Sequence, residues 1–233
     1  MEHYTSLLKR LSFLLSFAVC FTVLGRNVFA SKNEPCRKHE NSEMKIALTF
    51  DDGPHKKYTS EILDILDEYQ IKATFFVIGR NCTENPELVC REIESGHEVG
   101  NHTYSHPHLT KIREEKLCSE IIATENILFE LKEYQPRLFR PPEGVYSGTV
   151  SKTLERFDYT PILWTVDTTD WRLPSAKNIA DRVLNNISSG AIILCHDYVS
   201  GKSNTPDALR IFIPELINRG YVFVTVSELL MSS

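Results

Sequence analysis

Seven short apolar runs recur along this chain, and a stretch with helical signals follows nearly every one. The runs are "KIALTF" (45–50), "ATFFVIG" (73–79), "HEVGNHT" (97–103), "RLFRPP" (137–142), "TPILWTV" (160–166), "GAIILCH" (190–196) and "YVFVTV" (221–226). Between them, 59–70 places Ile62, Leu63, Ile65 and Leu66 at helical spacing. Residues 85–96 open on Asn-Pro and close on Gly, a good helix start and stop. Further helices are expected near 111–134, 147–157, 175–188 and 206–219. Strand-helix repetition of this kind demands a parallel sheet with helices outside it. Seven or eight such strands predict an α/β fold closed into a barrel rather than an open sheet.

The N-terminus stands apart. Lys9-Arg10 precedes "LSFLLSFAVCFTVL", and "VFA" ends at Ala30. A basic start, a short apolar middle and small residues before a cut read as a secretory signal peptide over 1–30, with an uncleaved membrane anchor as the alternative. Residues 31–43 read as a linker and 44–233 as one domain. Acids outnumber bases by 31 to 26, a net charge of −5, so the basic face needed for a nucleic-acid partner is missing. An exported protein can form disulfides, and Cys82–Cys90 is the closest pair in sequence. No C-x-x-C spacing suggests metal ligation by cysteine.

The reactive side chains fall at the C-terminal ends of the predicted strands. Asp51 and Asp52 follow the first, His102 the third, Arg140 the fourth, Asp167 and Asp170 the fifth, and His196 the sixth. In barrels of parallel strands that end carries the site. His102 and His106 have the i, i+4 spacing of a metal pair, although Pro107 disfavours helix there and demands a single turn or tight loop. A metal needs a third protein ligand and an open position for water. One of the two adjacent aspartates can be that ligand and the other a base, and a nearby cation relieves their mutual repulsion. His108 reads as a bystander, Asp167 as a turn-former, and Cys195, alternating with His196, as core. Asn101-His102-Thr103 reads as a coincidental glycosylation sequon, because a glycan there would block the histidines.

"TFDDGP", "HTYSH", "RPPEG", "DTTDW" and "LCH" resemble, in order and spacing, the motifs of the polysaccharide deacetylase (NodB-like) family, carbohydrate esterase family 4. The resemblance covers about residues 43–231. It implies a distorted (β/α) barrel of about seven strands. It implies Asp51 as general base and Asp52, His102 and His106 as ligands of one divalent ion, zinc foremost, with Co2+, Mn2+ or Fe2+ as alternatives. It implies Arg140 as partner of the base, His196 as general acid, and Asp170 as its orienting carboxylate. Trp171, Leu194, Pro142, Glu143 and Gly144 are implied to line the acetyl pocket. Glu143 departs from the pattern, which often has an aromatic residue there. Its backbone N–H can still serve an oxyanion, while its carboxylate is expected to disfavour anionic substrates. The expected activity is removal of N-acetyl groups from an N-acetylglucosamine-containing glycan, peptidoglycan or chitin-like, by an exported monomer found outside the cell or at its wall. An O-acetyl esterase on xylan and an inactive glycan-binding module are the alternatives.

Overall fold

The structure is a computed structural model and describes residues 34–39 and 43–232; the segment read as a signal peptide lies outside these residues. Strand β1 (Lys45–Asp51) is central. It pairs in parallel with β2 (Thr74–Val77) on one side and β7 (Ile192–His196) on the other. Beyond β2 follow β3 (Glu98–Asn101), β4 (Leu138–Phe139) and β5 (Thr160–Pro161), and beyond β7 lies β6 (Val166–Asp167). A short β8 (Val222–Val224) pairs with the start of β1. The parallel strands curl into a half-barrel with helices around it, the distorted barrel expected from the sequence.

Those helices are α1 (Tyr58–Glu68), α2 (Gly79–Glu84), α3 (Pro86–Glu94), α4 (Glu114–Lys132), α5 (Gly148–Arg156), α6 (Ala176–Asn186), α7 (Thr205–Asn218) and α8 (Val226–Leu230). The expected helix near 206–219 carries Pro214 in its interior and still runs through it. α2 and α8 were not expected. α2 reads "GRNCTE", too short and polar to show a period, and α8 is a single turn closed by a capping box between Thr225 and Glu228.

The run 160–166 is not one strand. β5 ends at Pro161 and β6 begins at Val166. Between them the carbonyls of Ile162 and Leu163 turn to the guanidinium of Arg140. The two edge strands therefore do not pair. Residues 36 and 38 bridge the gap from Ile162 to Ala191.

Alternation sorts the strand side chains. Ile46, Leu48, Phe50, Phe75, Val77, Ile193 and Cys195 pack outward against the helices, so Cys195 is core as expected. Ala47, Phe76, Leu138 and Ile192 form a second cluster inside, closed below by Val226 and Leu229 of α8. Gly100 leaves room for this interior: a Cβ there would lie 2.5 Å from the Phe76 ring. All five cysteines among the described residues are free, so the Cys82–Cys90 disulfide is absent. Cys82 is fully buried on α2, while Cys90 lies on α3.

Asn101 is also buried, and its amide is in use. Nδ2 donates to the Ile121 carbonyl and to Tyr159 Oη, and Oδ1 accepts the Thr103 N–H at 2.8 Å. In the fold it cannot carry a glycan. A buried polar group left unpaired costs about 1–3 kcal/mol. Asn101→Ala strands several, so it should lower unfolding stability by at least about 2 kcal/mol, measured by urea denaturation.

Candidate active site

β1 delivers Asp51 to the barrel mouth. Asp52 follows with φ of 77°, a left-handed residue outside the strand's alternation. In an extended strand neighbours face opposite ways. The left-handed step lets both carboxylates reach one cavity. The loop beyond is tied down at each carbonyl: Asp52 O accepts from Asn81 Nδ2 at 2.7 Å, Gly53 O from the Ile78 N–H at 2.9 Å, and Pro54 O from Asn85 Nδ2 at 3.3 Å. Gly53 has no alternative, since a Cβ would lie 1.9 Å from Asp197 Oδ2. Asp197 is buried, accepts from Thr59 Oγ1 at 2.6 Å, and has its carboxyl pushed up to about 7, chiefly by burial.

The second loop, 102–106, is not a helical turn. Thr103 and His106 are left-handed, with φ of 71° and 53°, and this compact loop brings the two imidazoles to a centroid separation of 5.0 Å. Nε2 of His102 and Nε2 of His106 each lie 3.5 Å from Asp52 Oδ1. One ligand atom from each of the three residues fits within a 4.8 Å cluster.

These residues fit a divalent cation. Asp52 Oδ1 is buried and has no hydrogen-bond partner in the protein. His102 Nδ1–H donates to the Arg140 carbonyl at 2.6 Å, which leaves the Nε2 lone pair facing Asp52. Backing a histidine through its other nitrogen is how metal ligands are oriented. The site also draws positive charge: burial opposes protonation of His102, yet Asp51 and Asp52 outweigh it and raise its pKa. Burial, then His102, lowers the pKa of His106.

On either side of this triad stands a buried ion pair. Asp51 Oδ1 accepts from Arg140 Nη1 at 2.7 Å. The same nitrogen donates to Thr49 Oγ1 at 2.7 Å, and the guanidinium lies 4.1 Å from the Phe76 ring centroid and 5.7 Å from that of Trp164. His196 is the register partner of Asp51 on the neighbouring strand. Its Nδ1 bonds Asp170 Oδ1 at 2.7 Å, its N–H donates to Asp170 Oδ2 at 2.8 Å, and Thr205 Oγ1 donates to that oxygen at 2.7 Å. Burial works against a charge on His196, but the bond to Asp170 and the charges of Asp170, Asp51 and Asp52 prevail and push its pKa up to about 9.

A cleft of about 430 Å³ opens over these groups, lined by Asp51, Asp52, His102, His106, His196, Glu143, Trp164, Asp167, Trp171 and Leu194. A family model described as polysaccharide deacetylase matches residues 38–162. The chain belongs to the polysaccharide deacetylase family, carbohydrate esterase family 4. It is 43% identical over 192 residues to a peptidoglycan-N-acetylglucosamine deacetylase of Bacillus cereus, covering 82% of this chain and 90% of that protein. The crystal structure of the Bc1960 peptidoglycan N-acetylglucosamine deacetylase superposes with a TM-score of 0.80 at 39% identity, covering 84% of this chain and 92% of that one. A family 4 acetyl xylan esterase from Clostridium thermocellum, solved with a cobalt ion, does so with a TM-score of 0.75 at 36% identity, covering 79% and 89%.

Most of the residues singled out in the deacetylase sequence meet at this cleft, with some differences. Pro142 and Gly144 are not among its lining residues: Pro142 is buried, and Gly144, with φ of 69°, packs behind Trp164. Trp164 lines the cleft but was hidden inside an apparent strand. Asp167 both lines it and forms a turn, accepting the Thr169 N–H at 2.7 Å. His108 stays outside the triad and the cleft lining, as expected, and pairs with Glu143 on the rim, its Nδ1 3.0 Å from Oε2.

Two predictions follow from this geometry. Asp52→Ala, His102→Ala and His106→Ala should each purify with little bound divalent ion, measured by elemental analysis against the parent; full occupancy in all three would sink the triad. Because the His196 pKa is raised from the ordinary 6.5 to about 9, the stability this pairing contributes is present below about pH 6.5 and is lost as pH rises through about 9. In chelated Asp170→Asn protein, the ring should titrate lower by NMR and this alkaline loss should disappear from urea midpoints.

Proposed function

We propose that this deacetylase hydrolyses the N-acetyl group of N-acetylglucosamine units in peptidoglycan, with a divalent ion, zinc foremost, held by Asp52, His102 and His106. The observation that carries the reading is the pairing of Asp51 with His196, register partners on adjacent strands beside the triad. Each is backed by an oppositely charged partner, Arg140 or Asp170. When bound, the ion supplies Lewis-acid polarisation of the acetyl carbonyl and lowers the pKa of the attacking water.

The side chains divide the proton transfers. Asp51 has Oδ1 committed to Arg140, so Oδ2 is the atom placed to take a proton from water. His196 has Nδ1 committed to Asp170, so Nε2–H is the donor to the departing nitrogen. An alkylamine leaves poorly without that proton, and the bond to Asp170, the largest of the effects that raise the pKa of His196, keeps the proton on the ring. Trp171, Leu194 and Trp164 offer an apolar wall for the acetyl methyl and keep bulk water from it.

The Bacillus cereus relative supports peptidoglycan as the glycan, and the N-terminal pattern supports export to where that glycan lies. The contact of His108 Nδ1 with Glu143 Oε2 at the rim tempers the expected rejection of anionic substrates, because it occupies one oxygen of the carboxylate. The Clostridium thermocellum neighbour supports O-acetyl xylan as a second reading, since an alkoxide needs less help in leaving than an amine.

A substrate panel decides between them. Metal-loaded protein should release acetate from N-acetylated peptidoglycan fragments faster than from chitin oligomers or acetylxylan, followed by mass spectrometry. Asp51→Asn should keep its metal and lose about 10²–10⁴-fold in kcat, the range for a general acid–base group. Turnover of acetylxylan alone would replace the amide reading with the ester one.

A further inference from the structure

The loop from His102 to His106 supplies two of the three proposed ligands, and its shape is not self-supporting. Each of its backbone N–H groups has a partner. That of His102 donates to the Val77 carbonyl at 3.0 Å, that of Thr103 to Asn101 Oδ1 at 2.8 Å, and that of His106 to Thr103 Oγ1 at 3.1 Å. The two in the middle, Tyr104 and Ser105, both donate to one atom of a remote helix, Glu120 Oε2, at 3.0 and 2.7 Å. Ser105 Oγ adds a bond to Glu120 Oε1 at 2.9 Å. Glu120 lies on α4, is 2% exposed, and takes Lys116 Nζ at 2.6 Å on its outer side. Two left-handed residues, Thr103 and His106, flank the bonded pair, a conformation that non-glycine side chains disfavour.

We infer that Glu120 is a positioning residue for the metal site: by gathering the central amides of this loop it holds His102 and His106 at the spacing a cation requires. Glu120 is not itself among the ligand cluster and does not line the cleft. It acts through the loop. The inference rests on the proposed metal triad, and it concerns reach rather than charge. One acceptor oxygen at the end of a glutamate-length side chain, the atom that takes both central amides, is what the loop needs.

Reach and charge can be separated. Glu120→Gln keeps the length and an acceptor but removes the charge; Glu120→Asp keeps the charge and withdraws the oxygens by one methylene. Zinc affinity is measured by competition with a chromophoric chelator, alongside melting temperature and kcat at saturating zinc. Glu120→Asp should bind zinc at least about tenfold more weakly, within the 10–100-fold range for groups that support metal ligands. Glu120→Gln should stay within about threefold of the parent. Ser105→Ala, which removes only the hydroxyl bond, should show a smaller loss in the same direction, and Lys116→Ala should show none. Zinc affinity unchanged in Glu120→Asp and Ser105→Ala, with only the melting temperature lowered, would make Glu120 merely structural. A larger loss in Glu120→Gln than in Glu120→Asp would make its role electrostatic; either result overturns the inference. Failure of the parent itself to bind zinc would instead overturn the triad.

Discussion

A fully buried guanidinium organises this molecule. Arg140 comes from the end of β4, yet it bonds Asp51 and Thr49 of β1 and the carbonyls of Ile162 and Leu163. It spans the interior of the half-barrel and engages the segment where no strand pairing closes it. Burying such a charge is unfavourable unless each of its nitrogens finds an acceptor and the counter-charge is close. Both conditions hold, with Phe76 and Trp164 packed on its faces. Its backbone carbonyl meanwhile orients His102. One residue therefore fixes a carboxylate, a histidine and the irregular edge of the sheet, and truncating it leaves Asp51 buried and unpaired at a cost of about 3–5 kcal/mol.

The site is built by a division of labour among carboxylates. Asp52 turns its free oxygen to the histidines, Asp51 is held by Arg140, and Asp170 raises the pKa of His196. Asp197 and Glu120 never reach the reacting groups and instead tie down the loops that carry them. Burial separates these roles. Lys116 and the Ser105 donors outweigh burial and lower the pKa of Glu120, whereas at Asp197, whose Oδ1 has no partner, burial prevails and raises it.

Much of this could be read from the residues. Strand-helix alternation places each strand end, and the chemistry-bearing residues then fall together without knowledge of any contact. What escaped reading was decided by tertiary structure. "TPILWTV" has the composition of a strand, but Arg140 takes two of its carbonyls and splits it. Trp164 consequently faces the cleft rather than sitting within a strand. His108 looked incidental because its partner, Glu143, is remote in sequence and joins it only when two loops meet. Glu120 was not singled out, although Leu117 three residues before it and Thr124 four after it lie on the same buried helix face.

The adjacent aspartates illustrate how geometry overrides a local rule. Period-two alternation sends neighbouring strand residues to opposite faces, which would bury one carboxylate among the helices. The left-handed backbone at Asp52 cancels that alternation. Non-glycine residues adopt it only with strain, and Asp is among the side chains that tolerate it best. The strain is confined by bonds on either side, from the Asp197 N–H to the Asp51 carbonyl before it and from Asn81 and Ile78 to the Asp52 and Gly53 carbonyls after it. A glycine at 52 would relax the backbone and remove the carboxylate, and a longer acid would overshoot histidines only 3.5 Å away. Side-chain length and backbone sign therefore select aspartate together, and the doubled acid is the shortest sequence that puts two carboxylates of different duty at one barrel mouth.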